Sequence, residues 1–102
     1  MAVTVQVIYP AREGTTFDHD YYAEKHMRIV DETIGPYLKS MVVTRGTAGA
    51  GDQPAPYHAV ATFVFEDAEA MKAGMANARP LGEDLANFTT TKPDFLYGEV
   101  IA

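Results

Sequence analysis

Residues 17–26 read FDHDYYAEKH. Two phenols, Tyr21 and Tyr22, stand side by side, and an imidazole, His26, follows four residues after the second. On an α-helix, positions four apart lie one turn apart on one face, so Tyr22 and His26 point the same way. On a helical wheel Tyr22, His26, Ile29, Val30 and Thr33 share a side, while Asp20, Lys25, Arg28, Asp31 and Glu32 fall outside it. His26 therefore sits among apolar neighbours, facing where a sheet would pack. Burial disfavours the imidazolium and lowers its pKa, which leaves a neutral base near pH 7. Tyr22 can orient that base or a substrate oxygen. Such a pair suits general acid–base transfer of a proton beside a carbonyl or enol. The same pattern also describes a histidine that only fills a core, and the residues alone leave both readings open.

Two more side chains are candidates for substrate contacts. Tyr37 is expected to begin the second strand and His58 the third, at strand ends where side chains line clefts. His19, in the first helical turn, is expected to face solvent or cap. Met27, Met41, Met71 and Met75 read as core filler. Phe63, Phe88, Phe95 and Tyr97 would line either a pocket or a core.

These residues need a scaffold, and 102 residues at 47% hydrophobic content fit one domain with a real core, spanning 1–102. VTVQVIYP, residues 3–10, alternates with period two and reads as a strand closed by Pro10. Asp18 is the N-cap of a helix running to about Ile34, where Gly35-Pro36 stops it. A second strand is expected over 37–47, a turn-rich connection over 48–56 and a third strand over 57–65. Asp67 caps a second helix over 66–78. Arg79-Pro80 interrupts it before a short helix over 81–88, and a last strand covers 95–102. The order βαββαβ is the ferredoxin-like α+β pattern.

Such a subunit covers one sheet face with helices and leaves the other open, where strands should alternate polar and apolar. The third strand instead carries Ala59, Ala61, Phe63 and Phe65 on one side and Val60, Thr62 and Val64 on the other. Apolar residues on both faces imply that both are covered, most simply by the same sheet of a second copy in a two-fold homodimer.

Composition excludes several classes. There are 8 basic and 14 acidic side chains, a net charge of −6, with the basic ones scattered. Nucleic-acid binding and adhesion to an anionic membrane are not expected. No apolar run is long enough to cross a bilayer, and the N-terminus does not read as a signal peptide. The absence of cysteine removes disulfides, thiol nucleophiles and thiolate metal sites, and fits a cytoplasmic setting. Three separated histidines offer no zinc spacing. Gly49 and Gly51 lie in a hairpin loop rather than at a helix N-terminus, so they do not form a phosphate cradle. No dinucleotide, P-loop or nucleophile-elbow motif occurs. No cofactor or metal is expected.

The run Phe17-Asp18-x-x-Tyr21-Tyr22-x-x-x-His26, after a strand ending in Tyr9-Pro10, resembles the EthD family, named for a protein linked to ethyl tert-butyl ether degradation. The resemblance implies a dimeric α+β barrel, two ferredoxin-like subunits with facing sheets. It matches the family's recurring histidine to His26 and its paired tyrosines to Tyr21 and Tyr22, which adds Tyr21 as a substrate-binding candidate. Related barrels include cofactor-free isomerases, cyclases and oxygenases, and haem-degrading enzymes. Three functions follow as expectations. The first is a cofactor-free enzyme acting on an apolar oxygenated small molecule through His26 and Tyr22. The second is a non-catalytic small-molecule-binding accessory to an oxygenase pathway. The third is a haem-binding protein, with His26 or His58 as axial ligand.

Overall fold

Alternating β-branched residues make Val3–Pro10 the first strand, β1, and the proline closes it. The computed structural model describes residues 1–102. After β1 come helix α1 (residues 19–33), β2 (Leu38–Arg45), β3 (Tyr57–Phe65), helix α2 (Ala68–Met75), helix α3 (Arg79–Asp84) and β4 (Asp94–Glu99). The strands form one antiparallel sheet in the order β2-β3-β1-β4, the ferredoxin-like α+β arrangement expected from the element order.

Helix α1 is not uniform. It opens as α-helix over His19–Tyr21, widens to a π-helix over Tyr22–His26 and resumes as α-helix over Met27–Thr33. The Tyr21 N–H donates to the Asp18 carboxylate at 3.0 Å, and the Ala70 N–H donates to Asp67 at 2.9 Å. Both expected N-caps are thus in place. Other boundaries differ from expectation. Tyr37 is not in β2, because Gly35–Tyr37 make a 3₁₀ turn whose φ the proline fixes. Arg79-Pro80 opens α3 rather than preceding it, with the proline where a helix tolerates its missing N–H. α3 then passes into a 3₁₀ turn over Leu85–Asn87. β4 ends at Glu99 because its one ladder partner, Val3, is the first residue of β1.

The helices cover the sheet face that carries Val5, Tyr9, Ala59, Ala61, Phe63 and Phe65, all buried. Val30 of α1 and Ile34, the residue that follows it, belong to the same core. On the opposite face, Ile8, Val60 and Val64 are half-buried around a Gln6–Thr62 hydrogen bond of 3.0 Å. The flanking Val42 and Leu96 are 62% and 54% exposed. That face is as apolar as the third strand's sequence implied. No helix is long and apolar enough to cross a membrane.

Candidate active site

Between the helices and the inner sheet face lies a cavity of about 160 Å³. Twelve of its fifteen lining residues are hydrophobic, so its occupant must be largely apolar. An apolar protein cavity of roughly 150 Å³ takes up benzene, so this one is sized for a single small ring. The side chains that bring polar atoms to its wall are Tyr9, Tyr22 and His26.

Tyr22 and His26 come from the π segment, and its wider turn sets their rings nearly parallel, 17° apart with centroids separated by 5.3 Å. π-segments inside helices are frequent at functional sites. Phe88 fixes the assembly. Its ring meets those of Tyr9, Phe17, Tyr21, Tyr22 and His26 at 4.5 to 6.2 Å.

His26 is 4% exposed, and its Nδ1 lies 2.9 Å from Oδ2 of Asp84, itself buried at the end of α3. The other carboxylate oxygen accepts from the Tyr21 hydroxyl at 2.7 Å and from Asn87 Nδ2 at 2.9 Å. Burial pushes the Asp84 pKa up, but hydrogen bonds from Asn87, Tyr21 and His26 outweigh it and hold the carboxyl below its ordinary value. For His26 the balance goes the other way. Burial pulls its pKa down, and the hydrogen bond and charge of Asp84 only partly oppose this. The resting pair is an ionised Asp84 and a neutral His26. An ionised carboxylate only accepts, so the imidazole proton is assigned to Nδ1, leaving the Nε2 lone pair free. Tyr21 stays protonated, raised chiefly by its hydrogen bond to Asp84.

The expected site residues do not all meet. Tyr22 and His26 line the cavity. Tyr21 does not, and instead anchors Asp84. Tyr37 sits in a polar surface cleft with Glu32, Asn77 and Arg79, its hydroxyl accepting from Asn77 Nδ2 at 3.3 Å. His58 lies outside the cavity as well, its Nε2 3.0 Å from the Thr15 hydroxyl and its ring stacked on Phe17. His19 is half-buried against the same Phe17 at 4.6 Å rather than free in solvent. Haem finds no ready seat here. The cavity is well below the ~300–1,000 Å³ of pockets for larger ligands, and His58 Nε2 is already engaged by the Thr15 hydroxyl. No three acidic or histidine side chains converge as a metal site.

Asp84 and Tyr9 escaped the sequence reading. Asp84 had a signal, since on a wheel of residues 81–88 it falls beside Leu81, Leu85 and Phe88 on the inward stripe. Tyr9 continues the inward alternation of Val5 and Val7.

The family model described as EthD domain matches residues 13–92. The chain belongs to the EthD family. Its match includes both ends of the Tyr21–Asp84 and His26–Asp84 contacts. Among solved structures, an EthD-like protein of Ralstonia eutropha JMP134 is 33% identical, with 99% of this chain and 93% of that one covered and a TM-score of 0.88. An ethyl tert-butyl ether degradation (EthD) family protein of Bacillus halodurans C-125 is 20% identical over 99% of this chain and 100% of the other, with a TM-score of 0.77. SnoaB of Streptomyces nogalater, a cofactor-independent oxygenase, shares the fold at 15% identity, covering 93% of this chain and 89% of its own, with a TM-score of 0.55. Nothing among curated proteins matches the chain.

Proposed function

We propose that this EthD protein is a small cofactor-free enzyme that moves a proton on an apolar, oxygenated small molecule. The observation that carries the reading is the His26–Asp84 pair at the wall of an apolar cavity. Asp84 fixes the tautomer and orientation of the ring, as a carboxylate does behind a catalytic imidazole. Nε2 of His26 is the base. Tyr22 presents a hydroxyl to the substrate oxygen, and Tyr21 and Asn87 are positioning residues that hold Asp84. The substrate is about one ring in size, such as a small lactone, enol or aryl ketone. The cofactor-independent chemistry of SnoaB on the same fold supports this class.

The protein works as a homodimer of single-domain subunits, formed through the open sheet face with its half-buried Ile8, Val60 and Val64. The setting is the cytoplasm, in keeping with the lack of cysteine. The test is exchange of deuterium from D₂O into the α-carbons of small cyclic ketones, aryl ketones and lactones, followed by proton NMR. The wild type is expected to accelerate exchange for at least one class, and His26→Ala to lose about 10²- to 10⁴-fold. A variant as fast as the wild type would dismiss the base. Tight binding of the panel with no exchange from any member would make the protein a binding accessory instead.

A further inference from the structure

The phenols of Tyr9 and Tyr22 share the cavity wall with His26. Both residues are buried, at 2% and 4% exposure, and their rings meet edge-on with centroids 5.6 Å apart at 76°. The Tyr22 hydroxyl is fully buried and has no hydrogen-bond partner. The Tyr9 phenol interacts with that of Tyr22 and with no other polar side chain. Two neighbouring hydroxyls can satisfy at most one of their two protons between themselves. At least one O–H is therefore left without an acceptor in an apolar site, where an unmade hydrogen bond is expensive. Nearby Phe17 and Phe88, which pack against both rings, bring no acceptor.

From this pair of donors we propose that Tyr9 and Tyr22 together form an oxyanion cradle, and that the site's ligands are compounds whose reacting oxygen becomes an enolate or is already a phenolate. The inference rests on the base role assigned to His26 and adds Tyr9 to it. The step balances without a further reagent. Nε2 of His26 takes the proton from the carbon α to a carbonyl. The C–H electron pair becomes the C–C π bond, and the carbonyl π pair moves to oxygen. The resulting enolate oxygen accepts from both phenols. Return of the proton from His26 to the same or a conjugated carbon gives exchanged substrate or an isomer. Both phenols remain protonated for this role. Burial pushes Tyr22 up to about 12 and raises Tyr9 as well, with the Tyr22 phenol adding to the Tyr9 shift. Donors held ready where charge develops are the usual strong contribution to such a reaction.

The test compares binding of phenol, 3-fluorophenol and 3,5-difluorophenol with that of toluene, which matches them in size but has no oxygen. In the wild type, affinity is expected to rise with phenol acidity and to exceed that for toluene by roughly 10- to 100-fold. Tyr9→Phe and Tyr22→Phe each keep the ring, should bind toluene as the wild type does, and should flatten the dependence on acidity. In the wild type itself, ¹³Cζ-labelled tyrosine should show the Tyr9 and Tyr22 signals moving with fluorophenol and not with toluene. Two results overturn the proposal: unchanged phenol selectivity in Tyr9→Phe, or ¹³Cζ shifts of Tyr9 that respond alike to both ligands. Either could occur while His26 still drives exchange, so failure of the cradle and failure of the base are separable.

Discussion

Replacing Asp84 by Asn changes almost nothing in shape and should invert the chemistry of His26. The wild-type carboxylate offers an acceptor to each of three donors: the Tyr21 hydroxyl at 2.7 Å, Asn87 Nδ2 at 2.9 Å and His26 Nδ1 at 2.9 Å. An amide has one acceptor oxygen and one NH₂. With the oxygen on the Tyr21 and Asn87 side, two hydrogen bonds survive and the NH₂ faces Nδ1. With the oxygen on the His26 side, one survives and the NH₂ meets the Asn87 NH₂. The first orientation wins by about one hydrogen bond, roughly 1 kcal/mol or a factor near five. Nδ1 must then accept, so the ring proton moves to Nε2, where the base should be. About one sixth of the molecules keep the active tautomer, so the tautomer shift alone lowers proton transfer roughly sixfold, and loss of the carboxylate charge that would stabilise the imidazolium carries the expected fall to about 10²-fold or more. Stability should fall by only ~1–3 kcal/mol, because the lost charge-assisted bonds are offset by no longer burying an ion. The assay pairs deuterium exchange with ¹⁵N NMR of the imidazole, which reports the tautomer directly. A wild-type His26 already protonated on Nε2 would refute the reasoning. So would an Asp84→Asn protein that keeps its exchange rate with its tautomer reversed.

Three other outcomes follow from the same structure. Because burial lowers the His26 pKa below 6.5, the exchange rate should be flat above that pH and fall on an acid limb with its midpoint below 6.5. The sign for stability agrees: between the folded and unfolded pKa the unfolded chain takes up a proton the folded one refuses. Denaturation midpoints should therefore drop as pH falls through 6.5, while a His26→Asn protein shows a flatter curve. Phe88 is 4% exposed and touches five aromatic rings of the site, so Phe88→Ala should lose ~3–5 kcal/mol in chemical denaturation. A loss under 1 kcal/mol would show that Phe88 is not the hub. Val42, 62% exposed on the open sheet face, is the position for Val42→Lys. Burying that charge in a two-fold interface should weaken association by ~2–4 kcal/mol, roughly 30- to 1,000-fold in Kd. Sedimentation at micromolar concentration should show a monomer, whereas an unchanged dimer would place the interface elsewhere.

How far the site could be read ahead of the structure depended on the range of each contact. The inward turn of Tyr22 and His26 is local, since a four-residue spacing and the apolar stripe of α1 determine it, and the structure keeps both residues at one cavity wall. The two-faced apolar pattern of β3 is likewise written in its alternation, and the register Val5↔Phe63 and Gln6↔Thr62 sorts the two faces as expected. Strand ends were less legible because they depend on partners. Tyr37 reads as strand by type, but Gly35-Pro36 locks the preceding turn and carries it to the surface cleft. The π turn is also invisible to a wheel that assumes regular α geometry. Asp84 shows the limit most clearly. Taken alone in LGEDLANF it is one acidic residue in a short helix, ordinarily a solvated one. Its meaning arises only when α3 brings it against α1, where the same carboxylate meets His26 and Tyr21 across 58 and 63 residues of chain. A buried carboxylate is tolerated only where its charge is answered, and here three donors answer it. An aspartate on the inward stripe of an otherwise apolar helix is therefore worth pairing, in any sequence of this kind, with the inward histidine of another.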